Sequence, residues 1–163
     1  MRDRDLLISN AGGTYLVKVS GRANFEYAVP LRSIAKASTD FKGIMIDLGD
    51  CTAMDSTFMG VLTMLALKFR KRGLQVVLVG AGENLLKLLR DLGVAKLFKC
   101  VERREVVSGN KVETSGVADM LATAETVAEA HKALVGADAG NAEKFKQVIE
   151  FADKDVERLK KTH

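Results

Sequence analysis

At 163 residues, 47% apolar and 28% charged, the chain is long enough to bury one real core and reads as globular, not disordered. Its net charge of +4 is too mild to name a polyanionic partner. No apolar run approaches the roughly 20 residues of a bilayer span, and "MRDRDLLISNAGG" lacks a signal-peptide core, so the expected address is the cytoplasm, with no membrane contact.

Two strands open the chain, "DLLISN" and "TYLVKVSG", split by a turn at Gly12-Gly13. In "RANFEYAVPLRSIAKAS", Ala28, Leu31, Ile34 and Ala35 recur at helical spacing, and Pro30 predicts a regular helix starting near it. "GIMIDLGD" is a continuous apolar strand, the sort buried on both faces of a sheet. A long helix follows, with Phe58, Val61, Leu62, Leu65 and Phe69 on one face and Gly73 as its stop. "LQVVLVG" is a strand, "ENLLKLLRDLG" a helix with Leu85, Leu88, Leu89 and Leu92 inward, and "KLFKCVE" a last short strand. Strands alternating with helices predict an α/β fold, a mixed, mostly parallel sheet of four to five strands with right-handed crossovers.

The tail differs. After the polar "SGNKVETSG", Val117, Met120, Leu121, Ala124, Val127, Ala128 and Leu134 form one helical stripe. Beyond "GADAGN", Phe145, Val148, Ile149, Ala152, Val156 and Leu159 form another. Together they predict an α-helical hairpin, and a division into a first domain over 1–108 and a two-helix extension over 109–163. Each stripe must be buried: against the other, the sheet domain, a partner, or a second copy of the chain in a homo-oligomer.

Several chemistries lack their residues. "KFRKR" (Lys68 to Arg72) sits where cations complement a helix dipole, and no aromatic residues interleave with it, so nucleic acid is not expected. Cys51 and Cys100, both in apolar strands, read as reduced and buried. No tight Cys/His pair suggests a metal, and no cofactor is called for. Gly80-x-Gly82 lacks the third glycine of a nucleotide loop and reads as a strand-to-helix turn. A serine nucleophile needs a base, but the only histidines, His131 and His163, lie in the tail, and His131 falls on an apolar stripe as a packing residue. The chain is not expected to be an enzyme.

Where strand meets long helix stand Asp55, Ser56 and Thr57, three small polar residues in an apolar setting. One would suffice as an N-cap, worth about 1 kcal/mol. A helix N-terminus is also an anion site, so a phosphorylated hydroxyl there, carrying about −1.5 to −2 charge, is tolerated by the fold but not by a partner docked over it.

"MIDLGDCTAMDSTFMGVLTML" resembles the anti-sigma-factor antagonist family, whose STAS domain carries a Met-Asp-Ser-Ser/Thr-x-x-Gly element at this joint, here Met54 to Gly60. The resemblance spans about residues 5–102, including "GRAN" after the second strand and "LLKLLRDLGVAKLFKCVE" at the end. It implies that Ser56, less readily Thr57, is phosphorylated by a partner anti-sigma factor that is itself a serine kinase, and that a serine phosphatase resets it. Asp55 and Asn24 would shape the phosphosite, and Met54, Thr57 and Met59 would touch the partner. The chain departs from the family in having Asn24 where many members have Asp, in the bulk of Phe58 and Met59, and in its helical tail. Phe58 reads as core. The alternative is a constitutive scaffold subunit of a stressosome-like or transport complex; a third reading is a small-ligand domain using a pocket near Asn24 and Asp55.

Overall fold

The structure, a computed structural model, describes residues 5–37, 41–102, 110–111 and 119–162. The expected boundary between residues 108 and 109 lies outside them. Strands β1 (Asp5–Ala11) and β2 (Thr14–Ala23) form an antiparallel hairpin. Its two-residue loop is Gly12-Gly13, at φ 63° and 97°, the backbone that a tight turn of matching twist requires at both positions. Strands β3 (Gly43–Met54), β4 (Val76–Val79) and β5 (Phe98–Val101) add in parallel. The order is β5-β4-β3-β2-β1-β6, where β6 is the two-residue edge strand Asn110–Lys111, antiparallel to β1. The mixed sheet is as expected from the alternation of elements; β6 adds a strand within a stretch too short and polar to show one.

Helices α1 (Phe25–Lys36), α2 (Ser56–Arg70) and α3 (Glu83–Asp91) connect the parallel strands. Each crossover steps the same way across the sheet, so right-handed connections carry all three on one face. In β3, Ile44, Ile46 and Leu48 are buried on one face, while on the other Met45 is half-buried and Asp47 buried, so the strand expected to be covered on both faces is covered fully on one and in part on the other. Helix α1 begins five residues before Pro30, against the expectation from proline. Asn24 caps it, its Oδ1 accepting from the Glu26 amide at 2.9 Å, and burial of Tyr27, Ala28 and Leu31 holds the helix through the missing donor.

The tail forms α4 (Met120–Ala137) and α5 (Asn141–Lys161). Helix α4 packs on α2 and α1, and α5 packs on α4, making a third layer. The stripes thus pack within the chain in part: Ala124, Ala128 and Leu134 of the first are buried, Leu121 and Val127 half-buried and Met120 exposed, while Val117 lies outside the described residues. Helix α2, sheet on one side and α4 on the other, is buried nearly all round. The outer helix is less covered: Phe145, Ala152 and Leu159 are buried, Ile149 and Val156 half-buried, and Val148 and Phe151 exposed. Cys51 is buried as expected, but Cys100 is exposed: alternation puts it on the same face as buried Phe98, and on the edge strand β5 the cover over Phe98 does not extend to it.

Candidate functional site

Ala23 of β2 pairs with Met54 of β3, so these neighbouring strands end together and each runs directly into a helix. Asn24 and Asp55 are therefore the N-caps of adjacent helices. The Asp55 amide donates to the Ala23 carbonyl at 3.0 Å, and Asp55 Oδ1 accepts from the Phe58 amide at 2.7 Å. Residues 21–24 and 52–55 line an open cleft of about 750 Å³ beside these strand ends. Burial pushes the Asp55 carboxyl above its ordinary range, against the pull of the Phe58 amide and other donors and of His131. The two residues expected to shape the site lie together.

Ser56 follows as the first helical residue, half-buried. Its hydroxyl lies 2.8 Å from His131 Nε2, a contact across 75 residues that ties α2 to α4. The other ring nitrogen, Nδ1, is 2.7 Å from the Val127 carbonyl. A carbonyl only accepts, so Nδ1 carries the proton; in the neutral ring Nε2 is then the acceptor and the Ser56 hydroxyl donates. Burial lowers the His131 pKa and keeps the ring neutral, outweighing the opposing effects of the Val127 bond and Asp55. Phe145 of α5 meets the imidazole edge-on, ring centroids 4.9 Å apart.

One turn along the same face, Gly60 lies against α4. A Cβ added there would stand 2.6 Å from the Ala130 Cβ and closer still to its carbonyl oxygen, so only glycine permits this approach. On the flank, Arg32 of α1 donates to both Glu129 oxygens at 3.2 and 2.7 Å, with Lys36 at 2.8 Å. Burial alone would raise the Glu129 pKa, but these cations hold it below the usual carboxylate value. At the far end, Asn141 Nδ2 donates to the carbonyls of Leu92 and Leu134, both at 2.9 Å.

Met54, Thr57 and Met59, expected to touch a partner, are all buried, at 7%, 7% and 6% exposure. Phe58, expected in the core, is fully buried. Sequence reasoning set histidine aside because it lay in the tail; the tail folds back and puts His131 on Ser56. The stripe position of His131 and a glycine inside a helix were the available signals, but neither names its partner. The pair is not thereby a nucleophile and base: His131 is oriented by a backbone carbonyl, Asp55 is engaged in its cap, and the neighbouring cleft is lined by neither Ser56 nor His131.

A family model described as "Mlab, STAS domain" matches residues 7–101. The chain belongs to this STAS family. No curated protein matches it. Among solved structures, the unphosphorylated anti-sigma factor antagonist SpoIIAA is similar at 12% identity and TM-score 0.50, over 62% of this chain and 89% of its own. A Thermotoga maritima protein described as a candidate anti-sigma factor antagonist gives 16% and 0.50, over 59% and 85%. A sulfate transporter family protein from Wolinella succinogenes gives 18% and 0.51, over 58% and 81%. These likenesses establish the STAS fold. None of the described helices is long and apolar enough to cross a membrane.

Proposed function

We propose that the chain is an anti-sigma-factor antagonist, a cytoplasmic binding module that takes a serine-kinase anti-sigma factor when Ser56 is unphosphorylated and loses it when Ser56 is phosphorylated. The observation that carries this reading is the placing of Ser56 as the first residue of α2, beside the cap Asp55 and Asn24. The chain is a substrate here, not a catalyst. Ser56 Oγ bonds to the γ-phosphorus of ATP held by the partner, the bond to ADP breaks, and the hydroxyl proton passes to a base. The product dianion lies where helix amides and dipole favour it, so the fold survives, while a partner over the helix tip meets unpaired charge. A differential affinity of a few kcal/mol suffices to switch binding. A serine phosphatase restores the hydroxyl.

A second reading, a constitutive STAS subunit of a stressosome-like or transport complex, is favoured by one observation: the Ser56 hydroxyl already has a partner in His131. Self-association in either case would use what the hairpin leaves exposed, Met120, Val148 and Phe151. Incubation with the partner kinase and ATP should label Ser56, and Ser56→Ala should abolish the label; labelling elsewhere overturns the switch. Ser56→Asp should weaken partner binding at least tenfold. Unchanged affinity would select the constitutive subunit.

A further inference from the structure

The matched solved structures cover 81–89% of their own chains with about three-fifths of this one, which leaves them too little chain for a helical hairpin like α4–α5. The fold therefore stands without that layer. In this chain the layer lies on α2, and its contacts are unlike those of the core beneath. Its buried face mixes small residues, Ala124, Ala128 and Ala130, with Leu134 and Phe145, which join the core, and the backbones meet at Gly60. Directional polar contacts join these: Ser56 to His131, Arg32 to Glu129, and Asn141 to the Leu92 carbonyl. A kinase must reach the Ser56 hydroxyl in line with its phosphoryl group, and α4 stands there, with His131 on the oxygen and Ala130 against the next turn of α2.

Resting on the Ser56-centred reading above, we infer that the α4–α5 hairpin is a displaceable cis-ligand of α2. It covers the surface a partner uses, and the partner that displaces it presents an amphipathic helix with a small residue where Ala130 meets Gly60. Helix-for-helix exchange explains why the cover is itself a helix, why it approaches through glycine, and why it lies outside the residues of the family domain. It also makes the unphosphorylated module closed at rest. Binding then costs the opening of the hairpin and is opposed in proportion to the closed population.

Hydrogen exchange on the full wild-type chain tests the displacement without any partner. Amides of α4 and α5 should exchange about tenfold or more faster than those of β2 and β3, through an opening that leaves the sheet protected. Equal protection of hairpin and sheet overturns the inference. The surface itself is probed with a fluorescent peptide of residues 119–137. It should bind the full chain carrying His131→Ala and Glu129→Ala at least tenfold more tightly than wild type, and Gly60→Val added to that variant should abolish binding. Binding unaffected by Gly60→Val, or absent from the loosened chain, overturns it as well. A chain whose Ser56 is never labelled would end the switch yet leave these exchange and peptide results unchanged, so the two failures are distinguishable.

Discussion

The two layers on either side of α2 are built differently. Toward the sheet, α2 sets Phe58, Leu62, Leu65 and Phe69 into a core shared with Ile44, Ile46 and Leu78, all essentially inaccessible to water. Toward α4 it offers a hydroxyl and a glycine, and receives a histidine and an alanine backbone, with Leu134 of α4 the large apolar side chain that joins the core. Large branched and aromatic side chains lose water-exposed area in quantity, and their burial is non-directional. Small residues and hydrogen bonds contribute less each but demand one geometry. One interface therefore gives cohesion and the other gives specificity, which is the division expected of a module whose family domain is complete beneath an added cover.

Substitution on each side of α2 separates them. Phe58→Ala should have the largest effect, about 3–5 kcal/mol, because it empties the packed side of the helix. Thermal unfolding should shift as one transition, with sheet and hairpin lost together. Gly60→Val should cost less, about 1–3 kcal/mol, because a branched side chain must enter the space of Ala130. Hydrogen exchange should rise in α4 and α5 and stay unchanged in β3. If β3 loosened equally, the two interfaces would be one cooperative unit and the contrast would fail.

The same division explains what could be read from the chain. The sheet layer was legible because its signal is local: apolar runs in "GIMIDLGD" and "LQVVLVG", and leucines at helical spacing in "ENLLKLLRDLG", each declare an element whatever they pack against. The cap Asp55 was legible for the same reason, since its bond to Phe58 spans three residues. The Ser56–His131 contact spans 75 and carries no periodicity. Both tail stripes announced burial without naming a surface, and the partner contacts at Met54, Thr57 and Met59 came with the resemblance, which carries no information on how deeply these side chains are buried. Pro30 misled in the opposite sense: its missing donor is a local rule, overridden by the Asn24 cap and the buried face of α1.

Acidity gives a milder way to sharpen the contrast, because it acts on the hairpin interface through one buried ring. His131 has a folded-state pKa below the ordinary 6.5, the effect of burial opposed by the Val127 carbonyl and Asp55. The unfolded chain then binds the proton more readily than the folded one. The contribution of the neutral ring is fully present above pH 6.5 and is lost as pH falls from there toward the lower folded value. Asp55 works in the other direction: its raised pKa favours the folded state below 3.8, an advantage lost as pH rises through the folded value. Between pH 7.5 and 5.5 the histidine effect is isolated by comparison with a variant that lacks the ring. The unfolding midpoint of wild type should fall across that window, and exchange in α4 should quicken before exchange in β3. In His131→Met the ring is gone and this part of the slope should vanish, while His163, common to both proteins, cancels in the comparison. An undiminished slope in His131→Met would mean that the acid sensitivity lies elsewhere than at the contact between α2 and α4.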